Sequence, residues 1–157
     1  MWEDIYKENK RLDIIFMSKY KEDSKIYEKN CIELMNEISE FANETKCFKY
    51  WSIKKMNKEK ALEEYADVIT MSLSFFTILN VKLEIIPHTD TIDVLYLLNK
   101  LYSNVSLLYE NKSDKLVKQI FSDVLYLGDL FNFSDKEKYD ACYKKMKIIE
   151  ERLNSDY

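Results

Sequence analysis

One glycine and one proline in 157 residues leave almost no material for tight hairpins or glycine-rich phosphate loops. A single histidine, His88, excludes a His-based nucleophilic triad. With three cysteines at no CxxC spacing, it also excludes a zinc constellation. Cys31, Cys47 and Cys142 read as small apolar side chains in a reducing cytosol, so the expected location is cytoplasmic. The start, Met1-Trp2-Glu3-Asp4, does not read as a signal peptide. No apolar run is long enough to span a membrane; the longest, residues 68–79, is short and carries Thr and Ser. A net charge of −4 argues against the basic surface that a nucleic-acid backbone requires. Neither nucleic acid nor membrane is expected as a partner, whereas a mononucleotide fits if a metal neutralises its phosphates.

What is present, 46% hydrophobic and 33% charged residues, reads as one all-α domain over 1–157, a bundle of about six helices. The first spans 3–20, with Ile5, Leu12, Ile15 and Phe16 on its apolar side and Asn9 near Asp13 on another face. The second spans 26–46, with Cys31, Leu34, Met35, Ile38, Phe41 and Ala42 at core spacing. The third covers 58–80, and a connector over 81–89 contains Pro87. A fourth follows over 90–110, then a fifth over 113–131, ended by Gly128 or soon after. The sixth, 134–154, opens on the capping box Ser134-x-x-Glu137. Tyr96, Leu97, Leu98, Leu101, Tyr102, Leu107, Leu108 and Tyr109 make the fourth helix more apolar than one surface helix needs. It lies either at the bundle centre or at a subunit interface.

Two carboxylate pairs stand out, Glu37-x-x-Glu40 and Glu64-x-x-Asp67. Helical spacing turns both members of each pair to one face. Two such helices packed together gather four carboxylates, the hard oxygen donors that magnesium takes and shares with substrate phosphates. Charge on a helix is most often a solvated face. Here Glu33, Glu37, Glu40 and Glu44 form a ribbon of one sign with no Lys or Arg between Cys31 and Thr45. Glu64 and Asp67 in turn sit within the apolar series Leu62, Tyr65, Ala66, Val68, Ile69, Met71. Buried charges are paired or bind metal. Between the pairs, Phe48-Lys49-Tyr50-Trp51 either caps the core or offers a ring to a base and an ammonium to a phosphate.

The run Glu40-Phe41-Ala42-Asn43-Glu44-Thr45-Lys46-Cys47-Phe48-Lys49-Tyr50-Trp51 resembles E-L-A-N-E-T-R-C-F-K-[YF]-W of the dimeric all-α dUTPases, which sit within the MazG-like nucleoside triphosphate pyrophosphatases. Glu63-Glu64-Tyr65-Ala66-Asp67 resembles their E-E-Y-V-D, and Leu12-Asp13 their early L-D. Tyr143, Lys145, Arg152 and Tyr157 follow the spacing of their last helix. The resemblance implies a homodimer that hydrolyses dUTP to dUMP and pyrophosphate, with Mg2+ on Glu37, Glu40, Glu64 and Asp67. It places Asn43, Lys49 and Trp51 near the nucleotide and Lys145 and Arg152 at phosphate-contacting positions. In this chemistry a carboxylate of the ExxE helix, Glu37, orients or deprotonates the attacking water.

The departures concern the substrate grip. The family's Gln three residues before L-D is Asn9, and its His three residues after the ExxD aspartate is Thr70. Its last-helix pattern K-N-x-x-N-x-x-R-Q keeps Lys145 and Arg152 but has Met146, Ile149 and Leu153 in place of the two Asn and the Gln. Met and Ile cannot donate or accept as Asn does. Two other readings therefore stand beside dUTP hydrolysis: a pyrophosphatase of the same scaffold for another or a broader set of nucleotides, and a non-enzymatic helical oligomer or regulator.

Overall fold

The computed structural model describes residues 1–155; Tyr157, matched above to the last-helix pattern, lies outside the described residues. Six helices follow one another: α1 (Trp2–Lys19), α2 (Ile26–Thr45), α3 (Lys58–Ile78), α4 (Val94–Asn111), α5 (Asp114–Leu130) and α6 (Asp135–Asn154). No strand occurs among the described residues, as the all-α reading expects.

The bundle is arranged about α3. From Tyr65 to Phe76 its side chains are apolar or small on nearly every side, and a helix apolar all round must be covered all round. It packs against α1, α2, α5 and α6, while α4 closes against α2 and α5. The apolar faces of α2 and α3 meet through Phe41 and Tyr65, whose ring centroids are 5.4 Å apart. Burying side chains of this size contributes roughly 1.5–3 kcal/mol each. This packing fixes the ExxE and ExxD helices side by side.

Helix starts are capped as their sequences dictate. Asn57 accepts from the Lys60 N–H at 3.1 Å, and Ser113 from the Leu116 N–H at 3.3 Å. The Ser134–Glu137 capping box is formed in both directions. The fourth helix begins at Val94 rather than residue 90, because the Asp93 carboxylate caps the Leu95 and Tyr96 N–H groups. On α1, Ile5, Asn9 and Leu12 form the buried stripe. Ile15 and Phe16, expected on the apolar side, are 42% and 50% exposed, with Ile14 and Tyr20 beside them. On α4, Leu97, Leu98, Leu101 and Leu108 are buried while Tyr96, Leu107 and Tyr109 face outward, so the helix has one core face and one apolar outer face.

As expected, α5 ends soon after the single glycine. The helix runs through Gly128 to Leu130, and Gly128 lies against the Tyr65 ring and the Lys138 stem. Among the described residues the left-handed positions are Lys46, Asn80, Lys112 and Asn132. Glycine is used here for close approach and not for a turn.

The connector before α4 is long, yet α5 ties it down. The Ile86 N–H donates to Ser122 Oγ (2.9 Å), Gln119 Nε2 to the Pro87 carbonyl (3.2 Å) and Tyr126 O–H to the Thr91 carbonyl (2.7 Å). His88 stacks on Tyr126 with centroids 3.5 Å apart. The anchor is Asp123, buried completely, which accepts from Thr89 N–H (2.7 Å), Thr89 Oγ1 (2.8 Å) and Gln119 Nε2 (3.0 Å). Removing an acceptor that serves several donors leaves them unpaired. Asp123→Ala is therefore expected to lower unfolding free energy by about 3 kcal/mol. A urea midpoint unchanged from wild type would refute this role.

No helix among the described residues is long and apolar enough to cross a membrane. Cys31 and Cys142 are buried and Cys47 half-buried, all three free thiols.

Candidate metal and nucleotide site

The packing of α2 on α3 brings Glu37, Glu40 and Glu64 together: each offers a carboxylate oxygen within 4.8 Å of the others. The fourth expected ligand, Asp67, lies one turn on from Glu64 along α3 but is engaged elsewhere, in an ion pair with Lys145 of α6. Both partners are mostly buried, at 18% and 22% exposure. Glu33 lies at the outer edge of the acidic ribbon. At its far end Glu44 pairs with Lys46 at 3.8 Å.

The electrostatics follow from like charges gathered in a half-dry cleft. Glu37 is pushed up to about 8, first by burial and then by the charges of Asp67 and Glu40. Glu64 and Asp67 are also raised, each chiefly by desolvation. Lys145 opposes the rise at all three groups, and Arg152 adds a smaller lowering at Asp67. A cluster of oxygen donors with this surplus of negative charge suits a hard divalent cation.

Beside it, α3 and α6 enclose a groove of about 420 Å³. Glu64, Asp67, Lys144 and Lys145 line it, with Leu62 and Ile148 supplying apolar wall. A second cavity of about 470 Å³ lies in the loop after α2, lined by Lys46, Lys49, Trp51, Ser52, Ile53 and Lys54. Trp51 stands 64% exposed, edge-on to Phe48 and Tyr50. Asn43 is exposed on α2, three residues past Glu40.

Asn9 and Thr70 come together, but inside the α1–α3 contact. The Asn9 amide donates to the Thr70 carbonyl (3.2 Å), Asp13 Oδ2 (3.0 Å) and Ser74 Oγ (3.3 Å), and Ser74 Oγ donates to Asp13 Oδ1 (2.8 Å). Thr70 Oγ1 turns back to the Asp67 carbonyl at 3.2 Å. Burial pushes the Asp13 carboxyl up to about 6 against these hydrogen bonds. The Thr77 hydroxyl approaches it without forming a well-aligned bond. This network was foreshadowed only by the i,i+4 spacing of Asn9 and Asp13; its α3 half is a long-range contact. The same holds for the Asp67–Lys145 pair and the groove of α3 and α6.

On α6, Arg152 is exposed, whereas Met146 is buried and Ile149 and Leu153 pack against the core. With Cys142 they form one apolar stripe at helical spacing. The three departures from the family pattern thus lie on the side of α6 that faces the bundle. Lys145 points toward α3 from an adjacent position.

The raised carboxyls set the pH dependence of stability. For Glu37 and Asp13 the folded state holds a proton that the unfolded state releases, so stability is greatest in acid. It declines as pH rises from the ordinary carboxylate range through about 6 for Asp13 and about 8 for Glu37. The Tm measured in EDTA is expected to fall between about pH 5 and about pH 8, and magnesium should flatten that fall by partnering the ionised groups. A rising Tm in EDTA would contradict it.

No curated protein and no solved structure matches the chain. A protein-family model described as dUTPase does, over residues 1–157. That model spans the acidic pairs, the aromatic loop and the α6 cations alike, and the chain accordingly belongs to the dUTPase family as an all-helical nucleoside triphosphate pyrophosphohydrolase.

Proposed function

We propose that the protein hydrolyses dUTP to dUMP and pyrophosphate with magnesium, using Glu37, Glu40, Glu64 and Asp67 as the ligand set. The observation that carries the reading is the convergence of the first three to within 4.8 Å across two packed helices. Carboxylate oxygens are the donor type magnesium takes, and their surplus negative charge is opposed only in part, by Lys145 and, at Asp67, by Arg152. A bound divalent ion would neutralise charge developing on the phosphates.

The chain's own groups supply the rest. Glu37, once ionised, orients the attacking water and accepts its proton. Lys145 and Arg152 of α6 would meet the polyphosphate. Lys49 and Trp51 offer an ammonium and an exposed ring to the nucleotide from the neighbouring loop. No covalent nucleophile is needed. Homodimerisation fits the apolar residues left outward on α1 and α4, among them Ile15, Phe16, Leu95, Tyr96 and Tyr109. Sedimentation at micromolar concentration tests it. A cytoplasmic setting agrees with three unpaired cysteines.

One observation favours a broader substrate range. Asn9 and Thr70, the positions that differ from the family at the base site, are tied into the α1–α3 hydrogen bonds. A site that hydrogen-bonds a base discriminates by orders of magnitude, and one that does not cannot. Pyrophosphate release from dUTP, dTTP, dCTP and dATP, each with magnesium and with EDTA, tests both readings. The expected result is magnesium-dependent release from dUTP in clear excess. Equal turnover of all four would establish the broader pyrophosphatase, and EDTA-resistant turnover would refute the metal reading.

A further inference from the structure

The four carboxylates expected to act together do not all converge in one set. Glu37, Glu40 and Glu64 converge, but the Asp67 carboxylate is held by the Lys145 ammonium. This is not an ordinary surface pair. Its partners are 18% and 22% exposed, whereas the neighbouring Lys144–Glu63 pair, at 3.1 Å, is 60% and 55% exposed. Both Lys145 and Asp67 also line the groove of about 420 Å³ between α3 and α6, where Lys144 and Lys145 are the cations among six carboxylates and so the groups an entering phosphate would meet.

We propose that Lys145 is a latch on Asp67, holding the fourth carboxylate out of the cluster until substrate phosphates draw the ammonium away and release Asp67 to a divalent cation. The inference rests on the magnesium reading above. Its physical content is a competition. The ammonium engages one Asp67 oxygen, Oδ1, and its positive charge opposes a cation arriving at the other. An ammonium on a four-carbon stem is suited to exchange one anion for another, being a compact charge with rotatable donors. Lys145 supplies positive charge at the edge of the cluster, and accordingly lowers the proton affinity of Glu37, Glu64 and Asp67.

Linkage then requires reciprocity. An anion that engages Lys145 tightens cation binding, and the cation tightens anion binding by the same factor. Lys145 is thus a positioning residue as well as a phosphate contact, and it couples metal and nucleotide so that neither is held firmly alone.

Magnesium titration by calorimetry, without nucleotide, tests this in the full chain. Lys145→Met is expected to bind magnesium about tenfold more tightly than wild type, the size of a typical coupling between sites. Lys145→Arg, which keeps the charge and the pair, should bind no more tightly than wild type. Lys144→Met controls for general loss of positive charge and should change affinity by less than about twofold, as an exposed pair implies. In an Asp67→Asn background, Lys145→Met should bring a clearly smaller gain, because only its longer-range charge on Glu37 and Glu64 is then removed. Equal or weaker binding by Lys145→Met, or the same gain from Lys144→Met, would overturn the latch while leaving the metal site standing. Absence of magnesium binding by every folded variant would overturn the metal reading and the latch with it.

Discussion

Glu37→Gln is expected to lower kcat for dUTP by about 10³-fold, within the range that a positioned general base contributes. It is also expected to raise the Tm of the metal-free protein by about 3 °C, near 1 kcal/mol for a chain of this size. The two effects have one cause. Glu37 is half-buried beside Glu40 and near Asp67, and burial with like charge pushes its carboxyl up to about 8. Glutamine keeps the shape and can still hydrogen-bond Glu40 but carries no charge, so the folded state loses a repulsion. The same change removes the group that takes the proton from water. Rates measured with saturating magnesium, beside melting curves in EDTA, separate the two effects. Activity lost together with stability would mean that Glu37 is structural, and retained activity would move the base to another residue.

Gly128→Ala is expected to destabilise the protein by about 3 kcal/mol, lowering Tm by about 8 °C. On propensity alone alanine would stabilise an interior helical position by about 1 kcal/mol. Packing reverses the sign. A Cβ at Gly128 would lie 2.6 Å from Tyr65 Cζ and 2.8 Å from Lys138 Cε, far inside van der Waals contact. Neither neighbour can yield easily. Tyr65 is wholly buried, and its hydroxyl donates to the Val124 carbonyl at 2.9 Å. Lys138, also buried, donates to the Leu125 carbonyl at 3.2 Å and pairs with Asp129. Tyr65 directly follows Glu64 on α3, so a displaced ring moves the carboxylate helix, and magnesium affinity should fall as well. Tyr65→Phe removes the hydroxyl from the crowded spot, and the double variant should lose less than the sum of the two single losses. Wild-type stability in Gly128→Ala would show that the backbone of α5 shifts freely there, against the close packing described.

Helix order and the ExxE and ExxD faces were legible because both are local properties. Apolar residues at helical spacing identify α2 and α3, and the capping box marks the start of α6. The same rules failed where another part of the chain supplies the partner. Ile15 and Phe16 continue the apolar spacing of α1, but the fold leaves both about half exposed. Gly128 does stand near the end of α5, but what requires a glycine there is Tyr65, on another helix. Met146, Ile149 and Leu153 read as lost polar contacts until α6 is seen to turn them to the bundle.

The sequence by itself determined an all-helical chain, the family to which it belongs, and the two acidic faces that a hard cation requires. Each follows from residue type and short spacing, which a helix converts directly into geometry. Only the tertiary structure decided which carboxylates meet. Glu37 and Glu40 reach Glu64 because Phe41 and Tyr65 pack α2 on α3. Asp67 is diverted because α6, far along the chain, delivers Lys145 to it. Charges at such separation in sequence act on one another only through the fold, so the partner of a buried carboxylate is set by packing.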